Sequence, residues 1–262
     1  MRIAGFAAPS GQIMVGAVEG EAGAPPEALT VAALSDFPWR TASFTGERWA
    51  LPDVRLLAPI YPTKIVGIGK NYAEHAEEMG GVPPEAPLLF LKPTTAVIGP
   101  ADAIRLPVDS RQVEHECELA VVIGPQGASE VPRERAMDTV FGYTAGNDVT
   151  ARDIQRSDGQ WTRAKGYNTF CPLGPWIETL LDPADLAIRT EVDGEVRQES
   201  RTSLMIHDVA TLVSYVSHVM TLLPGDVILS GTPAGVGPLR AGQTVSVTVE
   251  GVGTLTNPVR TR

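Results

Sequence analysis

The sequence predicts a mostly β protein of the mixed α+β kind, on three observations. Short runs rich in β-branched and other apolar residues recur at 65–69, 88–91, 117–123, 140–145, 187–192, 226–230 and 244–249, each of strand length and bounded by turn formers. The 26 glycines and 22 prolines supply those turns. Against them stands one clear helical repeat, 204–221, in which Leu204, Val209, Leu212, Val213, Val216 and Met220 keep close to the helical period. Strand and helix do not alternate in such a chain, so a parallel βαβ sheet is not expected.

In chain order, residues 1–58 come first, with short runs such as Ile13 to Val18 between breaks rich in Gly, Pro and Glu. They predict a small β-rich N-terminal domain without evident chemistry. "LAPIYPTKIVGIG" then supplies two prolines and a fresh apolar strand, which places a boundary near Pro59 to Pro62 and a larger domain over 59–262. At 262 residues and 43% hydrophobic content the chain has enough apolar side chains for a core. Its 21 basic against 31 acidic residues give a net charge of −10, which argues against nucleic acid or an anionic membrane as partner. No apolar run reaches the roughly 18 residues that a membrane helix needs. The N-terminal stretch, broken by Pro9, Ser10, Gly11 and Gln12, makes a poor signal peptide. Cys117 and Cys171 form no CxxC, so a cytoplasmic protein without a disulfide framework or zinc ribbon is expected.

Chemistry-bearing residues gather in a few segments. "VEHECELAVVIG" (113–124) ends like a buried strand yet begins with Glu114, Glu116 and Glu118, which a strand projects to one face while His115, Cys117 and Leu119 take the other. Like charges so crowded need relief, from solvent at an exposed edge or from a bound cation, and the residues alone leave both open. In "NYAEHAEEMGG", His75 and Glu78 are three apart, so a helical turn makes them either an oriented acid–imidazole pair or an exposed charge pair. "FGYTAGNDVTARDIQ" carries Asn147 and Asp148 out of an apolar run, where Asp148 either reaches a site or caps a helical turn over 149–154. Lys165 lies in "WTRAKGYNTFCPLGPW". "LPGDVILSGTPAGVGPL" ends a buried-looking strand in a loop, Gly231 to Gly237, that is either a plain turn or a backbone cradle for an anion. His115, His207 and His218 read as structural, the last two on the 204–221 helix, and Cys117 as a small core residue. "VGIGKNYAEH" fails the dinucleotide fingerprint, because Tyr72 stands where its third glycine would fall.

Taken together and in this order, "GKNYAEHAEEMG", "LKPTTAVIGP", "HECELAVVIG", "NDVTARDIQ", "RAKGYNTFCPLGPW" and "LLPGDVILSGTPAGVG" resemble the signature segments of the fumarylacetoacetate hydrolase family, over roughly residues 59–262. The N-terminal stretch is similar to the small, variable domain that bacterial members place before the catalytic one. The resemblance implies a mixed β-roll or sandwich fold, usually in a homodimer, with a magnesium or manganese ion. Carried over residue by residue, it implies Glu116, Glu118 and Asp148 as metal ligands, with Glu114 outside the pattern. Arg152, Gln155, Lys165 and Thr232 would line the substrate pocket, and His75 with Glu78 would form a water-activating dyad. An all-oxygen site suits such a hard cation and keeps about three positions for water or a chelating 2-oxo acid.

The activity so implied is metal-dependent hydrolysis of a carbon–carbon bond in a 2,4-dioxo acid of the acylpyruvate or fumarylpyruvate type, giving pyruvate and a carboxylic acid. Lys165 would hold the departing enolate. The same family contains 2-hydroxyhepta-2,4-diene-1,7-dioate isomerases and oxaloacetate decarboxylases, which share the enolate stabilisation. A non-catalytic binder of 2-oxo acids is the reading from another class, and the full set of ligands, dyad and lysine speaks against it.

Overall fold

The computed structural model of the chain describes residues 1–21 and 23–262. Five strands come from the N-terminal stretch: β1 (Arg2–Ala7), β2 (Ile13–Glu19), β3 (Thr30–Leu34), β4 (Phe44–Ala50) and β5 (Arg55–Leu57). β1 to β4 pair antiparallel in succession, and β5 returns to the side of β1. Next are β6 (Ile65–Gly69), helix α1 (Ala73–Glu78), β7 (Leu88–Lys92), β8 (Val97–Ile98), β9 (Ile104–Leu106), β10 (Val113–His115) and β11 (Cys117–Ile123). After α2 (Arg133–Ala136) come β12 (Val140–Asn147), β13 (Thr150–Ala151), α3 (Arg152–Asp158), α4 (Thr162–Lys165) and β14 (Cys171–Glu178). The chain closes with β15 (Ala187–Val192), β16 (Glu195–Arg201), α5 (Val209–Val219), β17 (Val227–Leu229), β18 (Gly237–Pro238), β19 (Thr244–Val249) and β20 (Gly253–Thr261).

The fold is mostly β. Among the described residues, a 12-stranded sheet runs β4-β3-β2-β1-β14-β12-β11-β17-β6-β7, with β5 on β1 and β8 on β14. β1 joins β14 through Arg2 opposite Glu178 and Ile3 opposite Ile177, so one sheet continues from the N-terminal stretch into the rest of the chain. A five-stranded sheet, β16-β15-β19-β20-β9, and a three-stranded ladder, β13-β10-β18, complete the strands. No helix among the described residues is long and apolar enough to cross a membrane.

Strand β11 is central, and its surroundings account for its composition. Cys117, Leu119, Val121 and Ile123 enter a core shared with Leu212, Val213 and Val216 of α5 and with Ile188, Val247 and Val249 of the smaller sheet. Ala120 and Val122 enter a second core, with Ile3, Ile65, Leu173 and Val227. A strand covered on both faces reads as an unbroken apolar run.

The helix expected over 204–221 is shorter. It spans Val209–Val219, because the Asp208 side chain accepts the Thr211 N–H at 2.8 Å and starts the helix there. Leu204 ends a 3-10 turn instead. His207 therefore lies off the helix, its N–H donating to Asn71 Oδ1 at 2.9 Å. His218 remains on it, with Nδ1 2.8 Å from the Ser214 carbonyl. Strand β14 carries no strand signal in its sequence, since Pro172 and Pro175 lack the N–H that a ladder uses.

Candidate active site

The acidic segment is broken at Glu116: β10 ends at His115 and β11 begins at Cys117. The Glu116 backbone turns instead to the end of β12, its N–H donating to Asn147 Oδ1 at 3.0 Å and its carbonyl accepting the Asp148 N–H at 2.9 Å. This crossing gathers Glu116, Glu118 and Asp148, with one carboxylate oxygen from each lying within 4.8 Å of the others. All three are buried, as is Glu114. A solvated edge is thereby excluded. Asp148 caps no helix either, since β13 follows it and α3 begins only at Arg152.

Four carboxylates packed this closely need counter-charge, and three cations are threaded among them. Arg152 Nε donates to Glu114 at 2.7 Å, and its guanidinium also reaches Glu116. Lys165 Nζ bridges Glu116 at 2.7 Å and Asp148 at 2.5 Å. Lys92 Nζ takes the other oxygen of Asp148 at 2.5 Å. Glu118 is the member without an ion-pair partner among the described residues; it accepts the Gly231 N–H at 2.7 Å. Burial, reinforced by the charges of Asp148 and Glu116, pushes the Glu118 carboxyl well above the usual carboxylate range. For Glu116 burial works the same way, but Lys165 and Arg152 outweigh it and hold the group below that range. Burial opposes the Lys165 charge too, and Asp148 and Glu116 overcome it, so the ammonium stays protonated. The donor set fits a hard divalent cation: three carboxylates, no sulfur or imidazole, and a charge deficit beside Glu118.

These groups face a cavity of about 260 Å³. Glu116, Glu118, Arg152, Gln155, Lys165, Thr232, His75 and Glu78 all line it, whereas Asp148 lies behind that lining, bonded to Lys92 and Lys165. His75 Nδ1 is 3.0 Å from Glu78 Oε2, the contact that three-residue helical spacing permits. The other Glu78 oxygen accepts the Gly235 N–H at 3.0 Å. The loop after β17 thus cradles anions, and they are the protein's own: Gly231 serves Glu118 and Gly235 serves Glu78. Gln155 Oε1 accepts from Arg152 at 2.6 Å, which leaves its amide nitrogen as a donor.

Three participants escape a reading of the sequence. Glu114, left without a role there, anchors Arg152. Lys92 is buried beside Phe90 by the two-residue alternation of β7, a signal that was available. Gln198 had none: it sits in the polar strand β16 yet is only 1% exposed. Its carbonyl oxygen accepts from His115 Nδ1 at 2.9 Å, from the Cys117 N–H at 3.1 Å and from the Thr190 hydroxyl at 3.0 Å. Its amide donates to Thr232 Oγ1 at 2.8 Å, so the Thr232 proton is left for another acceptor. His115 and Cys117 are packed inside as expected, and burial pushes the Cys117 thiol up to about 12.

Residues 64–260 match the family described as fumarylacetoacetate (FAA) hydrolase C-terminal, and residues 1–59 match Rv2993c-like, N-terminal. The chain belongs to the FAA hydrolase family. Protein Rv2993c of Mycobacterium tuberculosis is 57% identical over 99% of this chain and 98% of its own length. A crystal structure described as 2-hydroxyhepta-2,4-diene-1,7-dioate isomerase from Mycobacterium marinum is 54% identical, with a TM-score of 0.92 over 100% of this chain and 99% of that one. The fumarylpyruvate hydrolase of Pseudomonas aeruginosa, solved with Mn2+ and pyruvate, is 35% identical, with a TM-score of 0.73 over 78% of this chain and 91% of that one. Oxaloacetate tautomerase fahd2, mitochondrial, of Xenopus laevis is 42% identical over 79% of this chain and 69% of its own length. The chain is therefore an FAA-hydrolase-family enzyme, in a family that spans hydrolases, isomerases and tautomerases.

Proposed function

We propose that the chain is a divalent-metal-dependent hydrolase that cleaves a carbon–carbon bond in a 2,4-dioxo acid, releasing pyruvate and a carboxylic acid. The observation that carries this reading is the His75–Glu78 pair, which lines the same cavity as Glu116 and Glu118 and whose carboxylate is held from both ends. Hydrolysis needs a base to take a proton from the attacking water. With Glu78 on Nδ1, the Nε2 atom of His75 is free for that proton, and the Glu78 charge steadies the imidazolium that results. Glu116, Glu118 and Asp148 would hold magnesium or manganese, which when bound supplies Lewis-acid polarisation of a substrate oxygen. Lys165 and Arg152 bring positive charge to the pyruvate portion as it becomes an enolate. Gln155 and Thr232 each offer a proton to substrate oxygens, because Arg152 and Gln198 occupy their acceptor atoms.

A second reading, proton transfer between the enol oxygen and a carbon of a 2-oxo acid, draws on the same histidine and on the relatives described as an isomerase and a tautomerase. His75→Ala separates the two when acylpyruvate, fumarylpyruvate and oxaloacetate are assayed with added magnesium or manganese. Hydrolysis is expected to fall on the order of 10²-fold or more, with metal affinity retained. Decarboxylation of oxaloacetate, which needs no attacking water, should fall much less. Equal loss of every reaction would put isomerisation or tautomerisation first.

A further inference from the structure

We propose that the cavity holds a second, distal anion site made by Lys70 and Arg156, and that the substrates are accordingly dicarboxylic. A 2-oxo acid head would sit at Glu116 and Glu118, and a second carboxylate would reach the two cations. The inference rests on the reading of the site as one for 2-oxo acids.

Four lysine and arginine side chains line the cavity: Lys70, Arg152, Arg156 and Lys165. Two are already answered, Arg152 by Glu114 and Glu116, Lys165 by Glu116 and Asp148. Lys70 and Arg156 have no carboxylate at ion-pair distance among the described residues; the Arg156 guanidinium reaches only the neutral Gln112 amide oxygen, at 3.3 Å. An acid with a single carboxylate would leave both uncompensated. One with a second carboxylate would gain charge-assisted hydrogen bonds there.

The backbone gives an independent reason. Lys70 is held at φ 57, the left-handed region where glycine is cheaper than any residue with a Cβ. Neighbouring Asn71 locks it there, its amide donating to the Ser230 carbonyl at 2.7 Å and to the His207 carbonyl at 3.0 Å. Of the five described non-glycine residues at positive φ, Lys70 alone lines the cavity, so the backbone cost there coincides with a side chain placed at the site. Room for the ammonium comes from Gly81, where a Cβ would lie 2.7 Å from Lys70 Nζ. Elsewhere the lining includes Met79 and the rings of Phe90 and Trp161, 5.4 Å apart at their centroids, which suit an uncharged hydrocarbon spacer.

The test uses two 2-oxo acids of equal chain length that lack a cleavable 4-oxo group, 2-oxoadipate and 2-oxohexanoate, titrated calorimetrically into manganese-loaded protein. The diacid should bind at least about tenfold more tightly, the scale of one hydrogen bond to a charged group. Lys70→Met and Arg156→Met should each remove most of that preference and leave the monoacid within about twofold. Lys70→Gly should do the same with an unchanged or higher melting temperature, which separates loss of the subsite from misfolding. Equal affinity of the two acids for the unaltered protein, or a preference that survives in the double variant, would overturn the distal site alone. Failure of both acids to bind would overturn the reading beneath it as well.

Discussion

Two sets of ion pairs in this molecule share a geometry and differ in meaning. On the N-terminal strands, Arg48 grips Glu19 at 3.0 Å and 3.1 Å with side chains 55% and 41% exposed. At the site, Arg152, Lys165 and Lys92 grip Glu114, Glu116 and Asp148 at comparable distances with side chains at most 6% exposed. Water and salt screen the first pair, and its members would be nearly as well served apart. The second set has surrendered its hydration and still leaves Glu118 without a cation. Stability alone gives no reason to bury four carboxyl groups beside three cations, whereas a set of ligands for a hard cation does.

The largest effect should come from breaking the buried set. Lys92→Met strips the buried Asp148 of one counter-ion, and metal-free protein should lose about 3–5 kcal/mol in chemical denaturation. Saturating manganese should return part of the loss, because it binds the folded state. An unchanged denaturation midpoint would mean that Asp148 is effectively hydrated and that the contrast is false.

Glu118→Gln should act in the opposite direction and more mildly. The folded-state pKa of Glu118 lies above its unfolded value, so the metal-free native state holds the proton more tightly. Its contribution to stability is therefore fully present below the ordinary carboxylate range and is lost as pH rises through the raised value. The variant should lose manganese binding by calorimetry, match or exceed the metal-free wild type in stability at neutral pH, and show a flatter decline with rising pH. A variant less stable than wild type at neutral pH would show Glu118 to be a structural group.

Smallest of all is the surface control. Arg48→Gln should leave the melting temperature at physiological salt indistinguishable from wild type. A drop like that of Lys92→Met would erase the distinction between the two sets.

The parts of the site that are legible in the sequence are those written in short segments. Glu116 and Glu118 are two residues apart, and His75 and Glu78 three, so local periodicity already brings each pair together. What escapes is contact across long separations. Gln198 meets His115 over 83 positions and Thr232 over 34, and nothing in "EVRQESR" distinguishes the residue that turns inward. The fold divides in the same way. β11 and β19 are read from their apolar runs, with the bounds expected. Apolar spacing overruns the start of α5 because it registers a buried face and is blind to the Asp208 cap. Prolines hide β14, whose place depends on β1, β8 and β12.

That place gives β14 a consequence for anyone shortening the chain. β1 covers the β14 edge at Ile177 and Glu178, and the terminal amine of Met1 adds a 2.7 Å contact to Glu178. Cutting before residue 59 would uncover hydrogen-bonding backbone beside the apolar side chains that Ile3 and Ala17 now shield. A bare strand edge of that kind is a template for other chains, so such a truncation would produce a protein prone to self-association although every cavity-lining residue is retained.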